Sequence, residues 1–356
     1  MQSNNAKKTY RVGIIGIGFG RQVLLPAFRS DSRCTVTAVA ASNQTRAEKV
    51  ASEEQIPEAF GDWKSLIPCV DIVAIAVPPM VQAQILQTAS QSGKAIFAEK
   101  PLTGSFSSAC ALAETLRKRQ TSLAVDFMFP QIETWQRTKQ LLKDETIGVL
   151  RHIELEWTLE TYAERTRIHN WKSQLEQGGG ALHTFGSHVF HNLEFFGGKI
   201  ETVSAQLDAD ANSAEHAFEL RITFQSGATA NVFVSTRMPY GKGHRWEFTG
   251  TQGTLVLHNG PKDYVSGFTL AQVKDGTVDV LQVEKNKNAD GRLFPVLKNI
   301  STFIDHLEGR DAVFPNLDDG LRAEELMAKA RLSNEHESDR YSDPSLQRRR
   351  KHTVSA

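Results

Sequence analysis

Apolar positions along the chain follow two regimes. Up to residue 127 they gather in short, nearly unbroken runs at 12–15, 35–41, 72–77, 95–98 and 123–127, too continuous for strands with one wet face. Stretches that read as helices separate them at 21–30, 44–54, 81–92 and 105–119. Strands alternating with helices in this way predict a parallel sheet covered on both faces, the doubly wound form of an α/β domain.

Beyond Arg151 the runs lengthen and partly alternate, at 153–159, 203–207, 218–224, 228–235 and 246–257. Turn residues such as Gln225-Ser226-Gly227 and Thr251-Gln252-Gly253 punctuate them, which predicts a large, mostly antiparallel open sheet with few helices. One face of such a sheet can close a cleft while the other, if apolar, pairs with a second subunit. An amphipathic helix at 317–332 is expected to return to the first domain. The tail 336–356, with Arg348-Arg349-Arg350-Lys351, reads as a solvated end, with a docking signal as the other reading.

The first run leads straight into glycines, Val12-Gly13-Ile14-Ile15-Gly16-Ile17-Gly18-Phe19-Gly20. A tight turn between a buried strand and a helix lets backbone N–H groups approach a pyrophosphate, aided by the positive end of the helix dipole. The fit to G-x-G-x-x-G is incomplete, since Arg21 occupies the third glycine place. In a parallel sheet the turn predicts a dinucleotide cofactor. The end of the second strand carries Ala40-Ala41-Ser42-Asn43, with Arg46 beyond, and no acid for a ribose 2′-hydroxyl. That favours NADP over NAD, with Ser42, Asn43, and Arg46 or Arg21 receiving the 2′-phosphate. The plainer reading makes Asn43 a helix cap and Arg46 an exposed helix residue.

Composition narrows the partners. The 356 residues carry 41 basic and 41 acidic side chains, so there is no electrostatic footprint for nucleic acid or an anionic membrane. A small-molecule partner is expected. No apolar run reaches the ~18 residues of a membrane span, and the polar start lacks a signal-peptide core, which predicts a cytoplasmic protein. Cys34, Cys69 and Cys110 lack metal-ligand spacing and read as reduced thiols.

Two segments bring reactive groups. The run Ala95-Ile96-Phe97-Ala98 delivers Glu99-Lys100-Pro101 to the carboxyl end of the sheet, where doubly wound folds bind ligands. Lys100 is therefore a candidate catalytic amine, although the triplet also describes an exposed ion pair. Gly178-Gly179-Gly180 precedes a stretch that, as a helix, lines Leu182, Phe185, Val189, Leu193 and Phe196 on one face and Thr184, His188 and His191 on another. His188 can then face a site, or be satisfied in packing. A metal on His188, His191 and Glu194 is not expected, because three-residue steps drift around a helix.

Together with Leu25-Pro26-Ala27, Val77-Pro78-Pro79 and Gly93-Lys94, these segments resemble the glucose-fructose oxidoreductase, inositol dehydrogenase and rhizopine-catabolism (Gfo/Idh/MocA) family over 12–332. The resemblance implies a Rossmann domain, here 9–127, followed by a substrate-binding α/β domain, 128–335, whose open sheet makes a homodimer or homotetramer. It also implies hydride transfer between NAD(P) and a hydroxyl or carbonyl carbon of a sugar, polyol or related molecule. The implied cofactor contacts are Gly16, Gly18, Phe19, Gly20, Arg21, Val77, Pro78, Glu99 and Lys100. Lys100 stands at the lysine of the family's Glu-Lys-Pro motif, and His188 at the histidine of its glycine-led helix. An aspartate common four residues before that histidine is Thr184 here, a later aspartate is His191, and Gln82 stands where histidine is frequent. Thr184 fills the third catalytic place without charge. These departures keep a second class open, a cofactor-binding sensor or regulatory protein of the same fold.

Overall fold

The computed structural model describes residues 9–342 apart from 169–170, 175–177, 212, 262–264 and 286–289. The Arg348–Lys351 run and the start of the chain lie outside the described residues. The continuous apolar runs become β1 (Tyr10–Ile15), β2 (Cys34–Ala40), β4 (Ile72–Ile75), β5 (Ala95–Ala98) and β6 (Leu123–Val125), joined by a short β3 (Glu58–Phe60). They form a six-stranded sheet of order β3-β2-β1-β4-β5-β6, with every pair parallel. All four residues of β4 are buried, as a strand covered on both faces requires. The order reverses between β1 and β4, and a crevice opens there at the carboxyl ends of the strands.

The second sheet has eight strands in the order β14-β13-β12-β11-β7-β10-β9-β8. In sequence these are β7 (Leu150–Thr158), β8 (Ile200–Asp208), β9 (Ala217–Phe224), β10 (Thr229–Ser235), β11 (Gly243–Gly250), β12 (Thr254–Asn259), β13 (Thr269–Lys274) and β14 (Thr277–Val283). Only β7 and β10 pair in parallel. The single run expected at 246–257 is a hairpin, broken where Thr251-Gln252-Gly253 turns the chain. The second half is also richer in helix than expected: Glu133–Lys143 and Leu293–Leu307 join the expected helices Ser187–Gly197 and Leu317–Ser342. Trp135, Trp157 and Trp246 pack between the sheet and these helices, with Trp135 5.6 Å from Trp246 and 5.3 Å from Phe196.

The outer face of the sheet is charged where an apolar one was expected. Asn231 donates to Glu154, Lys242 pairs with Glu156, and Arg245 with Glu247. Apolar exposure gathers instead on the edge strand β14, at Val278, Val280, Leu281 and Val283.

The last two helices bind the halves together. Leu293–Leu307 buries Val296, Ile300, Phe303 and Ile304 against the first sheet's side, Phe303 lying 6.3 Å from Phe97. Leu317–Ser342 packs on Phe106–Lys118 and β6 at one end and on Ser187–Gly197 and β8 at the other. Arg33 locks the first of these contacts. Its guanidinium, only 8% exposed as a residue, grips Asp31 at 2.6 Å, Asp305 at 2.5 Å and Ser301 Oγ at 3.0 Å. Arg33→Ala leaves the buried Asp31 carboxylate without its counter-charge and is expected to cost roughly 3–5 kcal/mol in urea unfolding.

Candidate active site

Gly16 ends β1 with φ +103°, and a Cβ there would sit 2.2 Å from the Ala76 carbonyl oxygen. No side chain fits, so the turn can pass tightly over β4. A Cβ on Gly18 would meet nothing within 4 Å, because this residue faces the crevice. The following helix opens with a π-helical turn at Gly20–Leu24 before continuing as Leu25–Ser30. The residues present fit a dinucleotide: a strand-to-helix turn with an open backbone position at the strand-order reversal.

Arg21 is engaged elsewhere, with Glu53 at 2.8 Å and Glu54 at 2.6 Å. Asn43 caps Gln44–Glu54, its side chain accepting from the Arg46 N–H at 3.0 Å. The Arg46 guanidinium donates to Ser42 Oγ at 3.0 Å, so these two exposed side chains stand together beyond β2.

A cleft of about 990 Å³ runs from this turn to the second sheet. Gly18, Phe19, Val77, Pro78, Glu99 and Lys100 line one side, and Thr184, Phe185, His188 and Trp157 the other. Tyr162 and Trp171 also reach it. Ser42, Asn43 and Arg46 are not among its lining residues. A neighbouring chamber of about 450 Å³ shares Thr161, Tyr162, Lys172, Thr184 and Phe185 with the cleft and adds Glu164, His216 and Arg237.

Lys100 Nζ donates to the Thr184 carbonyl oxygen at 2.9 Å. This bond crosses from the first sheet to the glycine-led segment, and it uses the backbone of Thr184. Desolvation lowers the Lys100 pKa to about 8, against the pull of Glu99 and with Lys172 adding to the fall. Gly180 has φ +110°, and a Cβ there would lie 2.2 Å from Glu215 Oε1, so the glycine run lets the chain seat on that carboxylate. From Gly180 the segment enters a π-helical turn, Leu182–Gly186, then the helix Ser187–Gly197. His188 is 5% exposed, with rings of Phe127 and Phe129 edge-on at 5.9 and 4.9 Å. Burial first, then Lys100, holds its pKa well below the ordinary value, so the imidazole is neutral. Its Nδ1 is sealed from solvent without a hydrogen-bond partner among the described residues.

His191 looks the other way. It stacks on Phe127 at 4.1 Å and lines a separate pocket with Glu194, Asp319 and Arg322. Gln82 clamps the Glu99-Lys100-Pro101 turn: its amide donates to the carbonyls of Glu99 at 2.5 Å and Pro101 at 2.9 Å. Glu324, from the final helix, holds the next residues by accepting from Thr103 N at 2.8 Å and Thr103 Oγ1 at 3.2 Å. Asp126, Lys172, Arg292 and Glu324 were not singled out from sequence. Asp126 alone carried a signal, as the polar residue ending an apolar run beside the Glu99 strand.

Two family models match the chain: the oxidoreductase family with an NAD-binding Rossmann fold over residues 10–127, and the GFO/IDH/MocA C-terminal domain over 135–256. The chain belongs to the Gfo/Idh/MocA oxidoreductase family. An uncharacterized oxidoreductase of Synechocystis sp. is 28% identical over 339 residues, covering 89% of this chain and 91% of that one. Levoglucosan dehydrogenase in complex with NADH and levoglucosan superposes with a TM-score of 0.82 at 20% identity, covering 93% of this chain and 98% of that one. A 3-ketoreductase from Actinomadura kijaniata in complex with NADP and TDP-benzene gives 0.79 at 22% identity, covering 92% and 98%. This Gfo/Idh/MocA protein is an NAD(P)-dependent oxidoreductase. No helix among the described residues is long and apolar enough to cross a membrane.

Glu324 makes the fastening pH-dependent. Burial raises its pKa to about 7 from the ordinary 4.5 of a glutamate, so the folded state binds this proton more tightly than the unfolded chain. Its contribution therefore declines as pH rises from about 4.5 through about 7, by on the order of 3 kcal/mol. Glu324→Gln, which keeps the acceptor oxygen for Thr103, is expected to flatten that decline in urea unfolding measured from pH 5 to 8.

Proposed function

We propose that this oxidoreductase uses NADP in preference to NAD and moves a hydride between the nicotinamide and a hydroxyl or carbonyl carbon of a sugar-like small molecule. The observation that carries the reading is the meeting of Lys100, His188 and the glycine turn in one cleft. The bound dinucleotide would supply or accept the hydride at its nicotinamide ring. Gly16, Gly18 and Phe19 would hold its pyrophosphate, with Val77, Pro78 and Glu99 alongside.

Lys100 binds the substrate oxygen. As an ammonium it stabilises charge developing on a carbonyl oxygen and then donates the proton; as an amine it takes the proton of a hydroxyl. Its anchor on the Thr184 carbonyl fixes the direction of the side chain. Neutral His188 lines the same cleft and presents an uncharged imidazole beside the substrate, without competing for positive charge. With threonine at 184, no carboxylate from this helix faces the cleft, so Lys100 carries the proton chemistry. The chamber beside Tyr162 supports a substrate that extends beyond its reacting ring.

Ser42 and Arg46 support NADP, because a 2′-phosphate would find a hydroxyl and a guanidinium already in contact and no carboxylate at the end of β2. The charged outer face of the second sheet, rimmed by Val278, Val280 and Val283, is the surface offered to a second copy.

The test begins with fluorescence titration by NADPH and NADH, followed by ketoses, aldoses and polyols scored by nicotinamide absorbance. NADPH is expected to bind at least about tenfold more tightly than NADH, a gap of about 1.4 kcal/mol that Arg46→Ala narrows. Tighter NADH binding overturns the cofactor preference. Lys100→Ala is expected to lower turnover by roughly 10²–10⁴-fold while leaving NADPH affinity nearly intact. Carbonyl reduction should weaken as pH rises through about 8, where Lys100 loses its proton, and alcohol oxidation should strengthen.

A further inference from the structure

Beneath Lys100 lies a pair of acids that the chemistry above leaves idle. Ala98 of β5 is paired with Val125 of β6, so Glu99 and Asp126 leave neighbouring strand ends side by side. Glu99 Oε1 and Asp126 Oδ2 are both sealed from solvent, and neither takes a hydrogen bond from an N–H or hydroxyl donor among the described residues. The two carboxyl groups instead hydrogen-bond to each other. Such a bond needs a proton between them, because two carboxylates in contact cannot both ionise.

The pair is asymmetric. Asn299, from the helix Leu293–Leu307, donates to Asp126 Oδ1 at 3.2 Å and favours the ionised form of that residue. Among the described residues no side-chain donor does the same for Glu99, whose pKa is pushed well above the ordinary value by burial first and then by Asp126; the pKa of Asp126 rises to about 6. At neutral pH the arrangement is a Glu99 carboxylic acid donating to an Asp126 carboxylate. The charged groups facing it are Lys100 on the same turn and Lys172 from the segment Trp171–Ser173, while neutral His188 stands across the cleft. Both acids line the cleft that holds Lys100.

We propose that Glu99 and Asp126 hold one proton between them, so that the pair sets a single negative charge beside Lys100 and favours its ammonium form. The inference rests on the reading of Lys100 as the group that exchanges a proton with substrate. The Lys100 ammonium is held by the Thr184 carbonyl oxygen, and the charge of the pair acts on it through space.

Infrared spectra of the full chain test the pair without any substrate. Glu324 also carries a raised pKa, so its signal is removed first with E324Q. At pH 7 the E324Q protein is expected to show the C=O stretch of a protonated carboxyl group, which adding E99Q should abolish and adding D126N should shift. Nuclear magnetic resonance of ¹³C-methylated lysines, assigned with K100R, gives the second readout. D126N removes a negative neighbour and should lower the Lys100 midpoint by about one unit, tenfold in its proton affinity. No band in E324Q, or a band that D126N leaves unshifted, overturns the shared proton. An unmoved Lys100 midpoint in D126N overturns the hold of the pair on Lys100. NADPH titration of the same proteins separates the two readings: absent binding with the expected band defeats the cofactor-dependent function and leaves the carboxyl pair standing.

Discussion

Holding an ammonium group in a protein-walled cleft, in place and only partly hydrated, is the constraint around which this molecule is organised. A lysine in such surroundings either finds oxygen partners or gives up its proton. Lys100 does some of each, taking the Thr184 carbonyl and sitting above the Glu99–Asp126 pair, with its pKa drawn down to about 8. Polar contacts to backbone fasten its turn, beside the buried Leu102. Gln82 binds the carbonyls on one side of Lys100 and beyond Pro101, while Glu324 binds the N–H of Thr103.

These fasteners come from distant parts of the chain and belong to different layers. Gln82 lies on a helix of the first sheet, Thr184 on the glycine-led segment, and Glu324 on the final helix. The second sheet carries the wall opposite the glycine turn, and the last two helices keep that wall in register by packing on both halves. Arg33 and its acids do the same at the far side of the first sheet. The π-helical turns at Gly20–Leu24 and Leu182–Gly186 lie on the two sides of the cleft, each where a helix begins beside it. Local departures from α-helical spacing re-aim the side chains that follow, and they are common beside functional sites.

Much of the first sheet was legible because strands buried on both faces have no polar positions to blur their limits. The run 95–98 and the helix Gln44–Glu54 fall where the pattern puts them. The second half was harder. Partial alternation blurs strand limits, so the run 246–257 was carried through the Thr251-Gln252-Gly253 turn that divides β11 from β12. The helix Glu133–Lys143 and the strands β13 and β14 went unseen, since β14 is nearly all exposed and shows no buried face to detect. Among site residues, Lys100 and His188 were visible through their neighbours, a proline-stopped strand end and a glycine-led helix. Asp126 and Glu324 were not, because their importance comes from what they meet.

The sequence alone determined the sheet-and-helix alternation, the glycine turn, the strand end that carries Lys100 and the segment that carries His188. Each is a local property of spacing, side-chain size and backbone freedom. Tertiary structure decided which oxygen Lys100 binds, that Thr184 serves through its carbonyl, that Arg21 is occupied by acids, and that His191 turns away from the cleft. It also brought Glu99 against Asp126. These outcomes depend on distances between residues far apart in the chain, and electrostatic energies change steeply with distance and burial. Linear spacing carries the chemistry that is available; packing selects which pairs meet.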